Sequence, residues 1–263
     1  MVMGKLNQIK NRIISDFLMP SRMIEYEDIL KNLLEHEYEN LTVFEFYCKI
    51  KKNELKYNKK YFINRHDIDL ATAKEFFKIE KKYDLKSTYY FRLSTIDFNF
   101  MADIESYGGE ASYHFEEIAQ YCKDNHIKSK NNVLVNLDKI KDMFRKNFTM
   151  IEKRLGFKLK TVCSHGDFVN RRLNIINNYI TDDSMLRDEL GIKCEAYDKI
   201  IMDAYDIYVS DRPYPIYYNP KSIFECIGKY NIIGMLSHPK HWKTNFITNT
   251  RDNLKRVWEG MNW

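Results

Sequence analysis

The most constraining feature of this chain is an apolar segment, residues 61–69, that ends abruptly in ionisable side chains. Its tyrosine, phenylalanine and isoleucine residues favour extended structure, and the helical spacing of apolar residues in the next segment, residues 71–82, predicts a helix. The ionisable residues are therefore predicted to lie at the turn from a strand to a helix. They are Arg65, His66, Asp67 and Asp69.

Two interpretations of the paired carboxylates are open at this point. Residues two apart in a strand point the same way, so Asp67 and Asp69 share one face, about 6.6 Å apart at their Cα atoms. One carboxylate could bind a metal ion while the other faces a water on that ion. Alternatively, either residue caps the following helix, because Asp is a favoured N-cap residue. The same alternation turns His66 away from both acids, which predicts a structural role for it.

The following region predicts a unit of strand, helix and strand. After the helix over residues 71–82, residues 86–93 are a strong strand candidate. Such units build mainly parallel sheets, whose binding sites lie at the carboxyl ends of the strands. Asp67 and Asp69 lie at such an end, so the sequence predicts an α/β fold with a site there.

Further apolar segments also stop at acidic or histidine side chains. His114 ends a short strand-like segment before a predicted helix over residues 117–124, and His165 ends residues 160–166, after a long predicted helix over residues 133–155. Asp211 ends residues 206–211, and His238 ends the strand in residues 231–239. Considered alone, each of these residues is more simply explained by a structural role. In a barrel of parallel strands, however, these ends meet at one mouth, which predicts a shared site.

Composition narrows the class of protein. With 263 residues, 44% of them hydrophobic and 30% charged, the chain is long enough for one large α/β domain. We expect a single domain over residues 1–263, with residues 1–55 as an accessory helical segment. The five cysteines are odd in number and widely spaced, which predicts reduced thiols. No apolar run reaches the length of a membrane span and no targeting segment is evident, so we expect a cytoplasmic protein.

The net charge of +5 is spread along the chain rather than gathered in one segment. No nucleic-acid-binding motif accompanies it, so we expect no nucleic-acid partner. Attraction to an anionic membrane surface, or to a phosphorylated, lipid-linked substrate, stays open beside ordinary solubility. The sequence does not indicate whether the chain self-associates.

The order and spacing of these motifs resemble the polysaccharide deacetylase family of carbohydrate esterases, of the NodB-homology type. The branch is the one whose first motif reads Arg-His-Asp-x-Asp, and the resemblance covers residues 26–242. It implies a distorted (β/α) barrel with about seven parallel strands, here with an N-terminal helical extension. It also implies one divalent metal ion, with zinc expected, and removal of an N-acetyl group from an amino sugar. The substrate would be a lipid- or nucleotide-linked polysaccharide precursor.

The resemblance assigns roles to the strand-end residues. Asp67 matches the family's general base, Asp69 and His114 match metal ligands, and His238 matches the general acid. The chain departs from the family's His-(Ser/Thr)-x-x-His motif, because Ile118 stands where the second histidine belongs.

A third metal ligand must therefore come from elsewhere, since a catalytic metal usually has three protein ligands. His165 is the candidate, because its strand end should face the same mouth, with Glu116 behind it. Arg65 is expected to pair with Asp67 or Asp211.

Two supporting residues keep alternative interpretations. Asp211 either fixes a histidine tautomer, contacts sugar hydroxyls or is a simple turn residue. Trp242 either stacks on a sugar ring at the mouth or is buried. Two other functions also stay open: a non-catalytic member that binds a glycan or a partner, and a related C–N amidase.

Overall fold

The computed structural model describes residues 2–70 and 73–263, so the predicted helix start at Ala71 lies outside the described residues. It confirms the predicted α/β class. The described part of the chain forms nine strands: β1 Tyr38–Leu41, β2 Lys60–Ile68, β3 Thr88–Phe91, β4 Glu110–Phe115, β5 Thr161–Ser164, β6 Cys194–Glu195, β7 Ile207–Asp211, β8 Tyr218–Asn219 and β9 Ile232–Ser237.

Helices surround the sheet and also form most of the first 51 residues. The described residues form twelve α-helices: α1 Val2–Ile13, α2 Met23–Glu35, α3 Val43–Lys51, α4 Lys74–Lys82, α5 Phe98–Ser106, α6 Glu117–Asp124, α7 Lys130–Val135, α8 Leu137–Leu155, α9 Phe168–Leu173, α10 Ser184–Leu190, α11 Lys199–Met202 and α12 Phe246–Asn262. The long helix predicted over residues 133–155 is thus two helices, which meet at Asn136. A π-helical turn, Ile14–Leu18, follows α1.

The strands form one sheet in the order β6-β5-β4-β3-β2-β9-β7-β8, with β1 also paired to β2. All pairings are parallel except that of β8 with β7. The prediction of a barrel with about seven parallel strands is wrong in detail. Among the described residues no pairing joins the edge strands β6 and β8, so the sheet is open. Both edge strands have only two residues, and barrel closure needs hydrogen bonding along both edges.

Strand β2 lies at the centre of the sheet. On one side it pairs first with β1, through residues Lys60 to Ile63, and then with β3, through Arg65 to Ile68. Strand β9 pairs along the other side, from Tyr61 to His66. The accessory segment is therefore not purely helical, because its strand β1 belongs to the sheet.

Strand alternation decides which side chains reach the mouth of the sheet. In β4, Tyr113 and Phe115 point into the core and pack against Phe144 of α8, with ring centroids 6.0 Å and 5.1 Å apart. His114, between them, points the opposite way.

Among the residues described, none of the helices combines the length and apolar content that crossing a membrane requires.

Candidate active site

A pocket of about 1090 Å³ opens where the carboxyl ends of six strands meet. Strands β2, β3, β4, β5, β7 and β9 each place a polar side chain in it or are directly followed by a residue that does. The structure thus brings together the strand-end residues predicted from sequence. They are Asp67, Asp69, His114, His165, Asp211 and His238.

Three of these residues form a cluster with the geometry of a metal site. One potential ligand atom from each of Asp69, His114 and His165 lies within 4.8 Å of the others. The Oδ1 atom of Asp69 is 3.9 Å from His114 Nε2 and 3.3 Å from His165 Nε2. His165, the candidate for a third ligand, thus lies in this cluster.

The opposite nitrogen of each imidazole lies close to an oxygen atom. His114 Nδ1 lies 3.0 Å from the carbonyl oxygen of Cys163, and His165 Nδ1 lies 3.1 Å from Glu116 Oε2. Arg92 in turn donates three hydrogen bonds of 2.7–3.0 Å to the Glu116 carboxylate. Metal-binding histidines generally direct their second N–H at a carbonyl or carboxylate in this way. Both rings are thus oriented with Nε2 towards the cluster.

The residues present fit a divalent metal ion. Asp69 Oδ1 is buried and has no hydrogen-bond partner, although a buried unpaired carboxylate oxygen is costly. Two imidazoles and one carboxylate are a donor set that suits zinc and other first-row divalent ions. Ile118, at the position of the family's second histidine, is buried in the apolar core around α6 and offers no ligand atom.

The charge states of His114 and Asp69 suit metal binding. Burial lowers the pKa of His114 to about 4, so its imidazole is neutral at pH 7, as a ligand must be. Burial alone would raise the pKa of Asp69, but the charges of Lys240 and His165 hold it well below its usual value. Asp69 is therefore ionised. Burial lowers the pKa of His165, but Asp69 and Glu116 outweigh burial and raise it, so a metal would have to displace a proton from this ring.

Asp67 lies beside the cluster and is paired with an arginine. Its Oδ1 is 3.2 Å from Arg65 Nε, and its Oδ2 accepts a hydrogen bond of 3.3 Å from Arg65 Nη2. Of the two partners considered for Arg65, Asp67 is the one in contact. The arginine also lies over the ring of Tyr197, 4.2 Å from its centroid. Asp67 Oδ2 is 3.6 Å from His114 Nε2, so this carboxylate adjoins the cluster.

On the other side of the pocket, Asp211 fixes His238. Asp211 Oδ1 is 2.6 Å from His238 Nδ1, and its Oδ2 accepts the backbone N–H of His238 at 2.7 Å. Burial lowers the pKa of His238, but the Asp211 carboxylate outweighs burial and raises it above the usual value. The tautomer-fixing interpretation of Asp211 therefore fits its contacts, and Asp211 favours the protonated form of His238.

Trp242 does not stack at the mouth. Its side chain is 0% exposed, it packs against Tyr26 and Phe76, and its Nε1–H donates to Asp211 Oδ2 at 2.9 Å. The burial alternative is therefore the one observed. His66 is buried on the other face of β2, 2.7 Å from Glu80 Oε1, as its structural role predicted.

Sequence reasoning missed two cationic residues of the site. Arg92 directly follows β3, so the rule that strand ends meet could have found it. Lys240 Nζ donates to Asp69 Oδ2 at 3.1 Å. It lies in a short 3₁₀ turn after β9, where no spacing pattern marks it.

Comparisons with known proteins are distant. No family model matches the chain, and no curated protein matches its sequence. Among solved structures, the chain is similar to the Streptococcus pyogenes deacetylase PplD in complex with acetate, with 16% sequence identity and a TM-score of 0.43. The likeness covers 67% of this chain and 76% of that one.

Proposed function

We propose that this protein is a metal-dependent hydrolase that removes the N-acetyl group from an amino-sugar substrate. The observation that supports this most directly is the meeting of Asp69, His114 and His165 in a pocket that Asp67 and His238 also line. This arrangement provides a metal site with an acid and a base beside it, which amide hydrolysis requires. The resemblance of the strand-end motifs to polysaccharide deacetylases supports the choice of an N-acetyl group.

Asp69, His114 and His165 would hold the metal, with zinc as the proposed ion. When bound, such an ion lowers the pKa of water towards about 7 and polarises a carbonyl group. Asp67 accepts the proton of the attacking water. Its pairing with Arg65 keeps the carboxylate oriented, so that one oxygen faces the cluster.

His238 acts as the general acid. Its Nδ1 is held by Asp211, which leaves Nε2 to hand a proton to the departing amine. An amine is a poor leaving group unless it is protonated as the C–N bond breaks. Acid and base thus come from strands β9 and β2, which are neighbours in the sheet.

A phosphorylated carrier on the sugar, either a lipid or a nucleotide, suits the rest of the pocket. Its wall carries several arginine side chains beyond the metal cluster, and guanidinium groups bind phosphate well. The volume of about 1090 Å³ also exceeds what one sugar ring fills. The arginines include Arg171, Arg172 and Arg212.

The metal site is tested by substituting its ligands. Asp69→Ala and His114→Ala should each lose the bound metal and acetate release from N-acetylated amino sugars, measured by elemental analysis and an acetate assay. His126→Asn is the matched control, because His126 is exposed and asparagine tolerates its positive φ of 50°. If the parent protein, never exposed to chelator, holds no metal and releases no acetate with added zinc or cobalt, a non-catalytic binding function replaces this proposal.

The base is tested separately. Asp67→Asn should retain the metal and lose on the order of 10²-fold or more in acetate release, because a positioned base typically contributes that much. The control is Asp142→Asn, whose side chain is 62% exposed. Asp67 is not the base if the variant turns over as fast as the parent.

A further inference from the structure

Helix α12 is oriented opposite to a normal surface helix, because its polar side chains face the protein. Asn249 is buried, and its amide donates to the backbone oxygen of Asp16 at 2.6 Å. Asn253 donates to the Asp16 carboxylate at 3.0 Å and accepts from Arg12 at 2.7 Å. The helix is thus held to α1 and the π-helical turn by polar contacts.

The outward face of α12 is apolar. It carries six large hydrophobic side chains, each between 60% and 81% exposed: Phe246, Ile247, Leu254, Val257, Trp258 and Met261. At 100° per residue these side chains fall within an arc of about 120°. A helix in water normally turns such a face to the core, so this face is built for a non-aqueous neighbour.

The charged residues beside this apolar face indicate what kind of surface it contacts. Arg251 and Lys255 are exposed and lie next to Trp258 around the helix, at the edge of the apolar arc, where they also line the rim of the pocket. An apolar arc with an aromatic residue and a cationic border is the pattern of helices that lie in a membrane interface. We propose that α12 docks this protein on an anionic lipid bilayer, with the apolar arc in the headgroup region and the two cations on lipid phosphates.

The bilayer fits better than a second copy of the chain. The protein carries a net charge of +5, so two copies repel each other while an anionic surface attracts each of them. The same helix also lines the active-site pocket, both with its inner residues Thr248, Asp252 and Arg256 and with Ile247, Arg251 and Lys255 at one edge of the apolar arc. Docking through α12 therefore brings the mouth of the pocket close to the lipid headgroups, but it does not depend on the hydrolysis proposed above.

Co-sedimentation with lipid vesicles tests the docking. The parent protein should bind vesicles that contain phosphatidylglycerol and should bind pure phosphatidylcholine vesicles at least tenfold more weakly. The double variant Leu254→Glu with Trp258→Glu should reduce binding to the anionic vesicles at least tenfold. Neither side chain lines the pocket. The matched control is Val135→Glu with Met185→Glu, two residues 84% and 79% exposed on other helices, and it should bind like the parent.

Several outcomes would overturn the proposal. Failure of the parent to bind anionic vesicles is one, and equal binding to neutral vesicles is another. So is an equal loss in the control variant, since that would trace the effect to added charge alone. A further one is a parent protein that binds no vesicles and instead forms a dimer, which the α12 variant dissociates. That result would show that the apolar face contacts a second copy of the chain. Metal content and acetate release in solution report on the hydrolase separately, so the two proposals can fail independently.

Discussion

At Asp211, one buried carboxylate accepts from two groups of His238 and from the indole of Trp242. Asp211→Asn would keep the shape of the side chain and remove its charge. Because this charge raises the pKa of His238, the variant should lower that pKa. A general acid acts only while protonated, so the fall of kcat/KM at alkaline pH should begin at lower pH. We also expect kcat to fall on the order of 10²-fold.

The measurement is the pH profile of acetate release. Asp206→Asn is a suitable control, because Asp206 precedes β7 and accepts two backbone N–H groups far from the pocket. An alkaline limb that stays in place in Asp211→Asn would mean that His238 is not the acid.

At the scale of single residues, the sequence indicated which strand-end side chains would lie in one pocket. Asp67, Asp69 and His114 were found because alternation and β-α-β order fix where they point. Lys240 could not be found this way, since its approach to Asp69 depends on a turn whose path is set by packing. The burial of Trp242 likewise depends on its neighbours Tyr26 and Phe76, which are remote in sequence.

At the scale of elements, strand β2 has two faces with different tasks. One face carries Asp67 towards the pocket, and the other carries Asn64 and His66 into a buried polar network around Glu80. The Glu80 carboxylate accepts hydrogen bonds of 2.5–2.7 Å from Tyr26, Ser87 and Tyr89, and lies 2.7 Å from His66. The network joins α4 to the strand that carries the site.

Glu80→Ala should lower the free energy of unfolding by about 3 kcal/mol or more, because it leaves several buried donors unpaired. Urea denaturation measures the change. Glu189→Ala, at a side chain 50% exposed, is the control and should stay within about 0.5 kcal/mol of the parent. A loss in Glu80→Ala no larger than that of the control would show that the network contributes little to stability.

Elements with clear periodicity were predictable, and short ones were not. Helix α6 has the predicted bounds, and the strands at residues 61–69, 206–211 and 231–239 were placed within two residues of the observed ends. The two-residue strands β6 and β8 have no period to detect. For this reason the sequence indicated parallel strands but could not decide whether the sheet closes.

At the scale of the whole molecule, the proposed metal ligands lie in or directly after β2, β4 and β5, which are separated by long stretches of chain. A metal bound there links these stretches and should stabilise the native state, because the unfolded chain has no such site. Binding of metal at saturating concentration should stabilise the folded protein by about 4 kcal/mol. Removing the metal with a chelator should therefore lower the melting temperature by roughly 10 °C.

Scanning calorimetry or dye-based melting measures this change. The His126→Asn control should respond to the chelator like the parent, whereas Asp69→Ala should not respond. If the parent melts at the same temperature with and without chelator, the cluster is not a tight metal site.

The central position of β2 has a consequence for motion as well as for shape. Nearly the whole length of the strand, Lys60 to Ile68, is hydrogen-bonded to neighbouring strands. Strands β1 and β3 pair in turn along one edge, and β9 pairs along the other. Deuterium should therefore enter the backbone amides of β2 last, only when the molecule opens as a whole. Asp67, at the end of this strand, would then be held ready for its substrate instead of being ordered by it.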